Sequence, residues 1–152
     1  MNFKPIEKSD LNFLLSANGY FKDGWTESMF NSAFATGNFH GFIAEDLADD
    51  NAENCGIKTG FITFTVSVDT ADIEDLFVFP DFRNKGTGRA LIDKAIEYLT
   101  VSGIKKAFLE VRESNAAAIS LYKKAGFSAF SVRKKYYADG ENAICMAREI
   151  KE

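Results

Sequence analysis

The sequence predicts an α/β fold, a mixed central sheet of about six to seven strands flanked by about four helices. The first observation behind this is a change of hydrophobic period in the second half of the chain. Residues 73–78 form a short apolar run that reads as a strand, whereas Ala90, Leu91, Ile92, Ala95, Ile96, Tyr98 and Leu99 recur at helical spacing. The second is that the alternation repeats: residues 107–111 read as a buried strand, 115–125 as a short helix and 127–133 as another strand. A strand–loop–helix–strand–helix–strand order favours parallel pairing through a right-handed crossover, with antiparallel strands at both ends. In such sheets ligands gather where neighbouring strands diverge, which predicts that the loop after residue 79 and the end of strand 107–111 share one crevice.

Taken in order, residues 2–6 read as a strand. Ser9 or Asp10 can cap a helix through about Asn18, ended by Gly19. Thr26 is the expected N-cap of a second helix to about Ala35, and residues 39–45 form the next strand. The stretch 46–56, rich in Asn, Asp and Ala, reads as an acidic hairpin loop. Residues 60–68 alternate and are β-branched, so a strand is expected there, followed by a turn over 69–72 and a strand over 73–79. A helix over about 88–101 stops at Gly103. Ser114 or Asn115 caps the short helix, and Gly126 stands in its C′ position. A turn over 137–142 leads into a closing strand, 143–148. No internal repeat, low-complexity tract or linker interrupts the chain, so residues 1–152 read as one domain.

Composition narrows the function. Of 152 residues, 46% are hydrophobic and 26% charged, a globular balance. The apolar runs are far too short to span a bilayer and the amino terminus lacks a signal-peptide core, so a cytoplasmic protein without membrane association is expected. Cys55, Cys145 and the lone His40 are too few for a disulfide framework or a metal site, and His40 reads as a strand residue. A net charge of −4 disfavours direct nucleic-acid binding and suits a cationic partner such as an amine or basic protein tail. Glu45, Asp46, Asp49, Asp50 and Glu53 can attract such a tail or simply be a solvated loop.

Residues 79–91 carry the main candidate site. Gly86 and Gly88 allow positive φ and close backbone approach, Arg83, Lys85 and Arg89 are cationic, and the helix that follows offers free N–H groups to an anion such as a phosphate. A solvated strand-to-helix turn is the rival reading. The Walker loop fails because one residue separates the glycines, and the dinucleotide fingerprint fails because Leu91 stands where its third Gly or Ala belongs. Glu110 lies in an apolar strand, where burial would raise its pKa toward that of a useful base; alternatively it points outward and pairs with Arg112. Tyr122 and Asn115 taken alone read as a core aromatic and an N-cap. Ser120 has neither the glycines nor the histidine of a serine hydrolase.

What Arg83, Gly86 and Gly88 do fit is Arg-x-x-Gly-x-Gly, which resembles the acetyl-CoA pyrophosphate loop of the GNAT superfamily of N-acetyltransferases. Residues 109–127 look like the other half of such a domain. Within the superfamily the chain is most similar to the RimI-type ribosomal-protein alanine N-acetyltransferases, through Trp25-Thr26-Glu27, the run Arg133 to Tyr137, Asp139-Gly140 and the strand ending Ile144-Cys145-Met146. The similarity is strong over about 73–148 and weaker before Gly60.

The resemblance implies a single GNAT-like domain that takes acetyl-CoA as cosubstrate, with Glu110 as general base and Tyr122 as general acid. The backbone of Leu76, Phe77 and Val78 would meet the acetyl and pantetheine end. Arg83, Asn84, Lys85, Gly86, Thr87, Gly88 and Arg89 would cradle the pyrophosphate, and Asn115 would bond the cofactor arm. Trp25, Tyr136 and Tyr137 would line the acceptor groove. The acceptor so implied is the N-terminal α-amine, an alanine, of a ribosomal or other protein, and the enzyme a monomer or homodimer. A lysine side chain, a small amine, or an acetyl-CoA-binding sensor role are the rivals; the joint presence of Glu110 and Tyr122 argues against the sensor. The chain departs from the pattern in its longer acidic loop and in Phe77, a bulky residue where small ones are common.

Overall fold

The computed structural model describes residues 1–47 and 56–151. Its elements are β1 (Asn2–Pro5), α1 (Leu11–Ser16), α2 (Glu27–Thr36), β2 (Phe39–Leu47), β3 (Gly56–Ser67), β4 (Thr70–Val78), α3 (Thr87–Val101), β5 (Lys106–Arg112), α4 (Ala116–Lys124), β6 (Ser128–Arg133) and β7 (Ala143–Glu149). The strands form one seven-stranded sheet in the order β1-β2-β3-β4-β5-β7-β6. Mixed sheet and four helices are as the sequence predicts. Asp49, Asp50 and Glu53 of the acidic stretch, and Cys55, lie outside the described residues. No helix among the described residues is long and apolar enough to cross a membrane.

Several local expectations change. The first helix is only six residues long and runs between 3-10 turns at Lys8–Asp10 and Ala17–Gly19. Asp10 does not cap it with its side chain. Its carboxylate instead accepts from the Glu7 N–H and the Lys4 ammonium at 2.7–2.8 Å. Burial opposes that charge, but Lys4 and the Glu7 N–H outweigh it and hold the carboxyl below its usual range. Thr26 caps α2 as expected, accepting from the Met29 N–H. The turn expected over 69–72 is tighter: Thr70, Ala71 and Asp72 already pair with β3 on one side and β5 on the other.

The parallel component is also smaller than the element order suggests. Among the described residues only β4 and β5 pair in parallel, through Thr70–Lys106, Ala71–Ala107 and Asp72–Phe108. β6 does follow β5 through a helix, but β7 takes the place beside β5 and pairs antiparallel along its whole length, Lys106–Glu149 to Arg112–Ala143. The closing hairpin therefore inserts its second strand into the sheet and leaves β6 on the edge, exposed throughout.

Strand alternation splits the core between the two faces of the sheet. On one face Phe42, Ile62, Phe64 and Leu109 pack against Leu91, Ile92, Ala95 and Leu99 of α3 and against Tyr122 of α4. On the other, Phe39, Ile43, Phe61 and Phe77 pack against Leu14 of α1 and Phe30 of α2. The second layer is largely aromatic, and Phe13, Phe21, Phe61, Phe77 and Phe79 meet ring to ring at 4.8–6.0 Å.

Between Thr63–Asp75 and Phe64–Ile73 the β3–β4 register shifts by one residue, leaving Glu74 as a bulge. The bulge resets alternation along β4. Ala71 and Ile73 face α3 before it; Leu76 and Val78 do so after it, while Phe77 enters the aromatic layer.

Replacing Phe61, the member of that layer that β3 carries and only 1% exposed, by alanine should cost about 3–5 kcal/mol, the usual range for a fully buried phenylalanine. Urea unfolding measures this, and a loss below about 1 kcal/mol would mean the aromatic layer does not hold the sheet.

Candidate active site

Past Asp72 and Phe108 the parallel pairing stops, and β4 and β5 continue to Val78 and Arg112 without each other. The gap opens into a cavity of about 500 Å³. β4 contributes Ile73 to Leu76 to its wall, β5 contributes Glu110, Val111 and Arg112, and α4 with its cap contributes Asn115, Ala118 and Tyr122. Tyr20 to Asp23 and Trp25 close it from the loop between α1 and α2, and Tyr136 to Ala138 close it from the β6–β7 turn.

The local fold explains each position. β5 alternates, so Ala107, Leu109 and Val111 are buried against the α3 side while Glu110 and Arg112 face the other way. Tyr122 comes from the α4 side, 8% exposed, its ring edge-on to Phe127 at 5.9 Å. Burial and the nearby Asp75 and Tyr137 raise its pKa, so the hydroxyl stays protonated at neutral pH. The Glu110 side chain is 31% exposed and thus only partly buried. Its nearest cation is Arg133 at 3.7 Å, and not the Arg112 considered from the sequence.

Arg112 is otherwise engaged. Its Nη2 donates to Asp23, and its Nη1 donates to Asp139 at 2.9 Å and Glu141 at 2.8 Å. Its guanidinium also lies over the Tyr137 ring at 4.1 Å. One strand residue thus ties the α1–α2 loop to the β6–β7 turn across the cavity mouth. These partners lower the Asp139 and Glu141 carboxyls: for Asp139 chiefly its bond from the Glu141 N–H, and for Glu141 chiefly Ser114, each with Arg112 next. Sequence reasoning missed this hub. Its one legible signal was that Arg112 stands two residues beyond Glu110 on the same strand face.

The β4 backbone beside the gap can also be assigned. The Phe79 N–H donates to Thr59 O of β3 and the Asp75 N–H to Thr63 Oγ1, so odd-numbered residues here direct their N–H groups at β3. By alternation Leu76 and Val78 direct theirs into the gap, where β5 does not answer them. Phe77 directs its N–H at the sheet, and its ring, 5% exposed, lies away from the cavity. Its bulk therefore does not obstruct the gap.

The glycine loop begins where the exposed end of β4 finishes, and Arg83 Nε donates to Val78 O at 2.8 Å. Gly86 takes φ +84, the positive φ expected of it, and is the N-cap of α3, which begins at Thr87, one residue before the start expected from the sequence. Gly88 does not take positive φ; it sits inside the helix, and the residue that does is Asn84, at φ 62. What Gly88 supplies is clearance, since a Cβ there would meet Leu121 Cδ2 of α4 at 3.3 Å. No side chain caps α3, which leaves the N–H groups of Thr87, Gly88 and Arg89 without helical acceptors. Of the three cations, Arg89 pairs with Asp93 at 3.0 Å and Lys85 lies over the Phe82 ring. None of residues 83–89 lines the cavity; the loop adjoins it through Val78 instead of sharing one wall. Asn115 caps α4, its Oδ1 accepting from the Ala118 N–H, which leaves its amide N–H groups available at the cavity edge. Trp25 stacks on Phe39 at 5.5 Å, and the Tyr136 and Tyr137 rings meet edge to face at 5.0 Å. Of the cofactor, catalytic and acceptor residues nominated from sequence, Phe77, Val78 and the glycine loop 83–89 stand outside the cavity lining.

Replacing Arg112 by glutamine should leave the sheet intact but release the mouth. Amide hydrogen exchange is expected to rise over residues 20–25 and 134–142 and to stay unchanged in α3. Acid should act the same way: Asp139 and Glu141 have lowered pKa values, so the stabilisation is present above their ordinary values near 4 and is lost as pH falls through the lowered ones. Equal exchange in variant and parent would remove Arg112 from any role in holding the mouth.

The acetyltransferase (GNAT) family profile matches residues 11–127. Ribosomal protein bS18-alanine N-acetyltransferase of Escherichia coli (strain K12) is 42% identical over 98 residues, 62% of this chain and 66% of that protein, just short of two thirds of the relative's length. A Bacillus subtilis (strain 168) protein, to which the same activity is assigned provisionally, is 30% identical over 133 residues, 87% of this chain and 83% of its own. The crystal structure of the Escherichia coli ribosomal-protein-S18-alanine N-acetyltransferase superposes with a TM-score of 0.84 at 32% identity, covering 99% of this chain and 94% of that one. The resemblance read from the loop at Arg83–Gly88 and from the segment around Glu110 and Tyr122 is borne out, and the chain belongs to the GNAT acetyltransferase family.

Proposed function

We propose that this protein transfers the acetyl group of acetyl-CoA to the N-terminal α-amine, an alanine, of a ribosomal or other protein. The observation that carries this reading is that Glu110 and Tyr122, from opposite faces of the sheet, meet at one cavity where β4 and β5 part. The names of the relatives support the same acceptor.

In this reading acetyl-CoA lies along the open edge of β4, its pyrophosphate on the uncapped α3 N-terminus and its arm beside Asn115. The N–H groups of Leu76 and Val78 bond the pantetheine and the thioester carbonyl, and stabilise the oxyanion that forms. An α-ammonium has a pKa near 8, so a carboxylate such as Glu110 can take its first proton near neutral pH. The freed lone pair attacks the carbonyl carbon and the C–S bond breaks onto sulfur. The tetrahedral nitrogen then sheds a second proton. Tyr122, being protonated, gives its own proton to sulfur and is refilled from that nitrogen, so the phenol relays a transfer that is downhill overall. Trp25, Tyr136 and Tyr137 line the path by which the acceptor enters.

The direct test is free-thiol release from acetyl-CoA with a basic peptide carrying a free N-terminal alanine, against the same peptide with that amine blocked and a lysine exposed. Turnover with the free terminus only is expected; turnover with the lysine only would move the acceptor to the side-chain class. Glu110→Gln should keep cofactor affinity within about twofold and lose at least about tenfold in kcat, the low end of what general-base catalysis contributes. Unchanged turnover across pH in that variant would remove Glu110 from the mechanism. Gly86→Val places a branched side chain at φ +84, a strain of about 1–3 kcal/mol, and should weaken acetyl-CoA binding in calorimetry. Undiminished affinity would exclude the loop as the pyrophosphate cradle.

A further inference from the structure

The charges around the cavity are unequally answered. Among the described residues Asp23, Glu74, Asp75 and Glu110 line it, against Lys22 and Arg112. Asp23 is bound by Arg112, Glu110 has Arg133 at 3.7 Å, and Glu74 has the Thr65 hydroxyl nearby to offset part of its rise in pKa. Asp75 has neither a cation nor a hydrogen-bond donor among the described residues. The bulge at Glu74 is what directs it. With the register shifted, Asp75 falls on the same face as Phe77, opposite Thr63 of β3 and at the point where β5 no longer covers β4.

From the geometry we infer that Asp75 receives the protonated acceptor amine as its counter-charge, one residue before the Leu76 N–H in the gap. This deepens the acyl-transfer reading and rests on it. The proton count is unchanged: one proton of the ammonium passes to Glu110 and then to solvent, and the second reaches sulfur through Tyr122. Asp75 exchanges none. It pairs with positive charge on the nitrogen when the amine docks and again in the tetrahedral intermediate, where the nitrogen is cationic until its second proton leaves. A cation entering a cavity walled by aromatic rings loses hydration, and an unanswered carboxylate compensates for that loss.

Asp75 stands in this site at a cost to the fold. Burial first, then the neighbouring Asp23, raise its pKa to about 6. The titratable groups that share its cavity are Tyr20, Lys22 and Asp23 from the α1–α2 loop, Glu74 beside it, Glu110 and Arg112 from β5, Tyr122 from α4, and Tyr136 and Tyr137 from the β6–β7 turn; of the two cations, Lys22 pairs with Asp139 and Arg112 with Asp23, Asp139 and Glu141. An acid whose folded pKa lies above its unfolded value of about 3.8 binds more protons when folded, so its ionisation destabilises the protein as pH rises from about 4 to 6. The penalty is complete above about 6 and absent below about 4. A carboxylate with a structural role would show the opposite sign.

Asp75→Asn, which keeps the shape and removes the charge, separates the two. The variant is expected to melt above the parent at pH 8, with the difference vanishing near pH 4. It should also lose at least tenfold in kcat/KM for the peptide acceptor, mainly through KM, while acetyl-CoA affinity measured by calorimetry stays within twofold. An unchanged acceptor KM would overturn the inference, as would a variant less stable than the parent at pH 8. If only the lysine peptide turns over, the α-amine reading fails and Asp75 is judged on that peptide, whose acceptor is also an ammonium. If neither peptide turns over, both acceptor readings fall and the melting comparison decides: a variant no more stable than the parent at pH 8 removes Asp75 from this role.

Discussion

Everything specific to this molecule depends on β4 and β5 pairing for three residues and then separating. Parallel strands that continued in register would have closed the sheet and answered every backbone group between them. Instead β4 stays held by β3 up to Val78, while β5 is held by β7 up to Arg112. Each strand therefore has one satisfied edge, and the pair can diverge without the sheet losing cohesion. The bulge at Glu74 falls at this point, re-aiming the side chains of β4 as it leaves its partner. Without the bulge Leu76 and Phe77 would exchange faces, sending a phenylalanine into the α3 side and leaving the aromatic layer without its central ring.

The aromatic layer and the Arg112 hub then hold what the sheet leaves open. The loop from Tyr20 to Trp25 carries no strand or helix of its own, yet Tyr20, Phe21 and Trp25 are fixed against Phe77, Phe79, Phe30 and Phe39. Asp23 in that loop reaches Arg112, which also binds the turn between β6 and β7. Apolar packing sets the position of the loop, and charge joins it to the opposite rim. Both rims thus refer to β5, the strand that carries Glu110.

Much of this was legible in the sequence because it is local. The helical spacing of Leu91, Ile92, Ala95 and Leu99, the capping by Thr26 and Asn115, and the positive φ of Gly86 each depend on a few neighbouring residues. Glu110 and Tyr122 were nominated through the family resemblance, their own surroundings reading as ordinary. What was not legible is long-range. That β7 would displace β6 from β5 depends on a hairpin closing thirty residues downstream. The single-residue slip at Glu74 leaves no mark in the pattern, because Ile73-Glu74-Asp75-Leu76 reads equally well as a regular strand. The expectation for Gly88 failed for a related reason: glycine signals either unusual φ or close approach, and only the position of Leu121 on another helix decides between them.

The charge pattern of the cavity follows from the same long-range geometry. A chain of net charge −4 has no general need to gather four carboxylates around one opening, where burial first, and then neighbouring carboxylates, raise the pKa values of Glu74 and Asp75. Cations that could relieve them are close, but Arg112 is already committed to three carboxylates at the rim, and Arg133 stands beside Glu110. Had Arg112 pointed into the gap, it would have neutralised the site and repelled an ammonium. Because Asp23, Asp139 and Glu141 draw it to the mouth, Asp75 keeps a negative charge that no group among the described residues answers. A cavity in that state favours a cation over a neutral or anionic guest, and an amine awaiting acetylation is a cation until the step before attack.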